Sequence, residues 1–110
     1  MNQREIWLAD INPVKGSKQR GTRPVVVLSG NSMNLNLDVC IVCPLSSKIK
    51  NYAGCLVLNS DAVNGLEADS EIITFQIRTI SGQRLIRKLG EITLEQFDVV
   101  KLGLNEILTY

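Results

Sequence analysis

The chain has 110 residues, 45% apolar and 21% charged, with a net charge of +1 and no histidine, the profile of one folded globular domain spanning 1–110. No apolar run approaches the roughly 20 residues needed to cross a bilayer, and no apolar signal segment follows Met1–Glu5, so a cytoplasmic protein is expected. Lack of imidazole excludes serine–histidine triads and paired-histidine nuclease chemistry, leaving arginine, lysine, carboxylates, hydroxyls or tyrosine for any catalysis.

In chain order, Glu5 to Ile11 reads as a first strand, with Ile6, Leu8 and Ala9 around Trp7, and Asn12-Pro13 ends it. Residues 13–23 form a long loop rich in Gly, Ser, Lys and Arg. Pro24 to Leu28 is a second strand, which proline can begin because it lacks the N–H that a strand interior needs. Ser29 to Asn36 predicts a turn or short helix. Val39 to Leu45 is a third strand, apolar on both faces and therefore central. Its Cys40 and Cys43 lie three apart, on opposite faces. With Cys55 they make three cysteines, an odd number that argues against a disulfide framework. They read as small buried hydrophobes rather than a redox or metal pair.

A polar loop, Ser46 to Ala53, leads to a fourth strand over Cys55–Leu58. A turn-rich connection runs from Asn59 to Asp69. Glu71 to Ile77 predicts a fifth strand, on its β-branched Ile72, Ile73, Thr74 and Ile77. Thr79 to Ile86 reads as a turn or short helix, and Arg87 to Ile92 as a last short strand. Thr93-Leu94-Glu95-Gln96 is a capping box that opens a helix, with Ile92 and Phe97 in the staple positions. Phe97, Val100, Leu104 and Ile107 then make one buried stripe. Short strands closed by one helix predict a mainly β (α+β) fold, a small barrel with a C-terminal helix packed on it.

The charge is lopsided. Residues 11–60 hold Lys15, Lys18, Arg20, Arg23, Lys48 and Lys50 against the single acid Asp38, a net +5, which leaves −4 for the rest. Such a segment reads as a phosphate-binding surface or as a solvated loop.

Three polar clusters flank the apolar strands. In Gly16-Ser17-Lys18-Gln19-Arg20-Gly21-Thr22-Arg23-Pro24, hydroxyls and cations between glycines suit phosphate. Arg23, anchored at a strand start, is either a bidentate phosphate ligand or a structural arginine tied to a carboxylate. In Pro44-Leu45-Ser46-Ser47-Lys48 the hydroxyls either bond phosphate or base edges or simply end a strand. In Gln76-Ile77-Arg78-Thr79, Gln76 offers a donor and an acceptor, and Arg78 is either catalytic or a buried cross-link.

Taken together the clusters resemble a family. Trp7 with Asn12-Pro13, Gly16-Ser17, Gly21-Thr22-Arg23-Pro24-Val25, Pro44-Leu45-Ser46-Ser47, Asp69-Ser70 and Gln76-Ile77-Arg78-Thr79-Ile80 occur in the order and spacing of the MazF/PemK toxins. The resemblance runs from about Glu5 into the C-terminal helix. It implies a small SH3-like β-barrel of the CcdB/MazF type, paired as a homodimer. It implies a sequence-specific endoribonuclease that cleaves single-stranded RNA, commonly messenger RNA, without metal or cofactor. It also implies inhibition by an antitoxin whose acidic, disordered segment lies along the RNA groove. The family pattern puts a catalytic arginine at Arg23 and a catalytic hydroxyl, usually threonine, at Ser46. It makes Ser17, Lys18, Gln19, Arg20, Ser47, Lys48, Gln76 and Arg78 candidate RNA contacts. Ser17 stands where some members carry histidine, Lys18 where glutamate is frequent, and Phe75 where some carry aspartate. The competing readings are a non-catalytic, CcdB-like gyrase poison and a plain binding barrel.

Overall fold

The computed structural model describes residues 1–11 and 21–110, so most of the first loop lies outside the described residues. The described strands are β1 (Glu5–Asp10), β2 (Thr22–Val27), β3 (Val39–Ser46), β4 (Leu56–Leu58), β5 (Ser70–Ile72), β6 (Arg78–Ser81) and β7 (Leu85–Glu91). The helices are α1 (Asn31–Asn36) and α2 (Leu94–Thr109), with 3₁₀ turns at Thr74–Gln76 and Gly82–Arg84. The strands make one curled antiparallel sheet in the order β4-β5-β3-β2-β1-β7, with β6 also paired to β3. This is the mainly β half-barrel with a C-terminal helix that the sequence predicts.

β3 is central as expected, pairing with β2, β5 and β6. Its alternation feeds two cores. Cys43 and Leu45 join Ile6, Val26, Leu58, Ile72, Ile92, Phe97 and Val100 on the face that carries α2. Cys40 and Val42 join Ala9, Val25, Val27 and Ile80 on the other. The two cysteines therefore do lie on opposite faces, buried and free, as small hydrophobes. Each fully buried aliphatic chain contributes about 1.5–3 kcal/mol.

Two elements differ from expectation. The fifth strand stops at Ile72, and a 3₁₀ turn over Thr74–Gln76 follows. The Thr74 hydroxyl is buried and donates to the Gly54 carbonyl at 2.9 Å. That bond draws the chain away from the ladder despite its β-branched residues. The expected turn over Thr79–Ile86 is largely strand: β6 pairs Val39–Val42 with Arg78–Ser81, and only Gly82–Arg84 turns. Tertiary pairing overrides the local pattern there.

The helix is capped as predicted. Thr93 Oγ1 accepts from the Gln96 amide at 3.1 Å, and Gln96 Oε1 accepts from the Thr93 amide at 2.8 Å. Phe97 and Val100 are buried, while Leu104 packs partly against the core. Gly103 is buried in this seam, where an added Cβ would stand 2.1 Å from the Gly54 carbonyl oxygen. A side chain there cannot coexist with this helix–loop approach.

Candidate active site

β2 begins with Thr22-Arg23 and β3 ends with Ser46, so the sheet brings these termini together. Val25, Val26 and Val27 pair with Pro44, Cys43 and Val42. The paired stretch ends at Val25 and Pro44, so Thr22-Arg23 and Ser46 lie just beyond it, at the same end of the two strands. Arg23 and Ser46 line a cleft of about 540 Å³ together with Thr22, Ser47, Lys48 and Arg87. Leu8, Leu45, Leu66 and Leu89 supply apolar wall, and Glu67 is its one carboxylate among the described residues.

The loop after β3 is held from beneath. Ser46 Oγ accepts from the Lys48 amide at 3.1 Å, closing a tight turn. With one lone pair so engaged, the Ser46 O–H remains free to serve as a donor. Glu71, opposite Ser46 in β5, is fully buried. Its Oε1 accepts from the Lys50 amide and its Oε2 from the Tyr52 amide, each at 2.8 Å. One internal carboxylate thus anchors the segment that carries Ser46, Ser47 and Lys48. Asn51, between the two anchored residues, takes a positive φ of 55°, which asparagine tolerates better than most residues.

The far wall is built similarly. Asp61 Oδ1 accepts from the Val63 and Asn64 amides at 2.9 and 2.8 Å. The buried Asn64 bonds the Asn59 carbonyl at 2.8 Å and receives the Leu66 amide at 3.0 Å. Gly65 has φ +65°, and an added Cβ would lie 1.9 Å from the Leu89 carbonyl oxygen. Glycine is therefore required for this loop to lie on β7 and form the wall.

Of the expected site residues, Arg23, Ser46, Ser47 and Lys48 share the cleft. Arg23 is exposed and absent from the ion pairs among the described residues, which are Arg4–Glu91, Lys88–Glu5 and Lys101–Asp98. Residues 12–20 contain no acid that could pair with it, so a structural tie to a carboxylate finds no partner. Gln76 and Arg78 are exposed and do not line the cleft. Arg78 pairs with Val42, four residues from Ser46, or about 13 Å along a strand. It is not a buried cross-link. Phe75 packs edge-on against Tyr52 at 5.0 Å. Ser17, Lys18, Gln19 and Arg20 lie outside the described residues.

Sequence reasoning missed Glu71 and Arg87. The signal for Glu71 was a charge inside an apolar strand, Ser70-Glu71-Ile72-Ile73. Arg87 was counted with the acidic part of the chain, which the sheet folds back against the basic part.

Burial pushes the Cys40 thiol above its ordinary range. Burial, with the neighbouring Cys55 adding to it, pushes Cys43 up to about 12. Among the described residues no three Cys, Asp or Glu side chains gather as metal ligands.

Comparison with known proteins adds a second line of observation. The family described as "PemK-like, MazF-like toxin of type II toxin-antitoxin system" matches residues 2–108. The chain is similar to endoribonuclease MazF9 of Mycobacterium tuberculosis, 35% identical over 114 residues, covering 96% of this chain and 97% of that one. It is 36% identical over 102 residues to endoribonuclease EndoA of Bacillus subtilis, covering 92% and 88% of the two chains. Its fold matches a crystal structure of MazF from Deinococcus radiodurans with a TM-score of 0.81 at 22% identity, over 100% and 97% of the chains.

Proposed function

The chain belongs to the PemK-like, MazF-like toxins of type II toxin–antitoxin systems, and from that membership we propose that it is a sequence-specific endoribonuclease of single-stranded RNA, neutralised by a cognate antitoxin. The observation that carries the proposal is the meeting of Arg23 and Ser46 at adjoining strand ends in one open cleft. The gyrase-poison alternative loses its ground, because the family match is to the MazF type and not to CcdB.

In the proposed reaction the RNA 2′-hydroxyl gives up its proton as its oxygen bonds the adjacent phosphorus, the P–O5′ bond breaks, and the departing 5′-oxygen takes up a proton, giving a cyclic phosphate and a 5′-hydroxyl with no net gain or loss of protons. Negative charge grows on the phosphoryl oxygens. Arg23 is a permanent cation with paired N–H donors, suited to hold that charge more tightly in the transition state than in the ground state. Ser46 donates its hydroxyl to a phosphoryl oxygen, and Lys48 adds positive potential at the same wall. Serine in place of the family's usual threonine keeps the hydroxyl and loses the methyl that stiffens χ1. Glu71 is a positioning residue, acting through the loop it anchors. None of these steps calls for a metal.

Ser47, Gln76 and the residues of the first loop are assigned to reading bases, which are accessible in unpaired RNA. Since Gln76 and Arg78 stand off the cleft within one protomer, their part is assigned to the surface that a second copy would complete in a homodimer. A messenger-RNA substrate supports a cytoplasmic location. Among the described residues no helix is long and apolar enough to cross a membrane. The matched stretch, 2–108, supports one toxin domain over the whole chain.

The test is incubation with a mixed RNA pool in the presence of a chelator, with mapping of new ends. Cyclic-phosphate and 5′-hydroxyl ends at a short shared motif are expected. Arg23→Ala should cut about 10²–10³-fold more slowly, as removal of a charge-stabilising donor typically does, while keeping its fold and oligomeric state. Cleavage by Arg23→Ala at the wild-type rate would refute the role of Arg23, and loss of cleavage in chelator would refute the metal-free mechanism.

A further inference from the structure

β7 carries Arg87 and Lys88, Arg84 closes the 3₁₀ turn just before it, and the structure gives the three different surroundings. Arg84 Nη1 donates to the Asp10 carbonyl at 3.2 Å. Lys88 pairs with Glu5 at 3.2 Å. Arg87 is exposed and its guanidinium makes no hydrogen bond or ion pair with any described residue, yet it lines the cleft that holds Arg23 and Ser46.

Its place is set by the sheet. Leu8 in β1 pairs with Pro24 on one side and with Arg87 on the other. Arg87 thus stands two strands across from the end of β2, about 10 Å at the usual strand spacing. Leu8, Leu66 and Leu89 also line the cleft. An apolar wall flanked by cations suits a nucleobase whose neighbouring phosphates are held on either side.

We propose that Arg87 is a second phosphate subsite, engaging the RNA backbone next to the scissile linkage while Arg23 engages the scissile phosphate itself. This assignment rests on the ribonuclease reading. It makes Arg87 a binding residue that adds affinity and fixes the strand's path, with no part in bond-making. A guanidinium spent on one phosphate contributes one ion's worth of counterion release, or about 0.7 in the slope of log K against log salt for a single strand.

The experiment measures binding of an RNA carrying 2′-O-methyl groups, which cannot be cut, across a salt series, and cleavage of the parent RNA in parallel. Arg87→Ala is expected to lower the salt slope by about 0.7 and weaken binding several-fold to about tenfold, with the cleavage defect in KM rather than kcat. Arg87→Lys, which keeps the charge, is expected to recover the slope. Lys101→Ala removes one positive charge outside the cleft and is expected to leave the slope at the wild-type value. An unchanged slope in Arg87→Ala, an equal fall in Lys101→Ala, or a loss confined to kcat would overturn the assignment. A wild-type protein that leaves every RNA intact would overturn the ribonuclease reading instead, which separates the two failures.

Discussion

Replacing Glu71 tests the architecture beneath the cleft. Its carboxylate is fully buried and accepts the Lys50 and Tyr52 amides at 2.8 Å each. Hydrogen bonds to a charged group contribute about 1.5–3 kcal/mol each, and stranding a buried donor adds to the loss. Glu71→Gln keeps the shape but turns an N–H donor toward one of the two amides. It should cost about 2–4 kcal/mol, a large share of the roughly 5–15 kcal/mol that holds a domain folded. Denaturant melts of wild type and variant give the difference, and hydrogen exchange locates it. The Lys50 and Tyr52 amides should exchange faster in the variant, relative to amides of the β1–β2 pair. RNA cleavage should fall as Ser46–Lys48 loses its support. A variant within about 0.5 kcal/mol of wild type, with those two amides still protected, would show the reasoning to be wrong, since that is the scatter of inconsequential surface changes.

Three further outcomes follow from other parts of the fold. Gly103→Ala should destabilise despite alanine's helix advantage of about 1 kcal/mol, because its Cβ would meet the Gly54 carbonyl at 2.1 Å; a rise in melting temperature would contradict the close approach. Thiol reagents at neutral pH should modify Cys55 in the folded protein and reach Cys40 and Cys43 only on unfolding, since those two are buried and their thiols are pushed up; mass spectrometry of labelled peptides decides it. Burial alone would raise the Glu5 carboxyl, but the Asn2 amide, the Trp7 indole and Lys88 together hold it below its ordinary 4.5. A depressed acid contributes stability above its unfolded-state value and loses it as pH falls through its folded-state value. The stability gap between wild type and Glu5→Gln should therefore be present at pH 7 and shrink on acidification below about 4.5; a gap independent of pH would exclude the charged contacts as its source.

The chain's own pattern made several elements legible. The capping box at Thr93 and Gln96, the staple of Ile92 and Phe97, and the doubly apolar run of Val39–Leu45 each depend on neighbours within a few residues. Such local chemistry reads directly from residue order. Arg23 and Ser46 stood out through the family pattern, since as polar residues at strand ends they read equally as structural; only the fold set them on one cleft. Glu71 was not legible, since its partners are amides about twenty positions earlier. The 3₁₀ turn at Thr74–Gln76 was not either, because a contact with Gly54 decides it rather than β propensity.

By itself, then, the order of residues determined most of the elements, their inward faces and the absence of imidazole chemistry, because periodicity and residue type act over short stretches of chain; the stretch from Ile73 to Arg84 was the exception. Only the tertiary structure decided which cations are committed and which are open. Arg84 and Lys88 find partners in β1, whereas their neighbour Arg87 turns up in the cleft beside Arg23. Antiparallel pairing joins residues more than sixty positions apart, and no local pattern encodes which charges that pairing brings face to face.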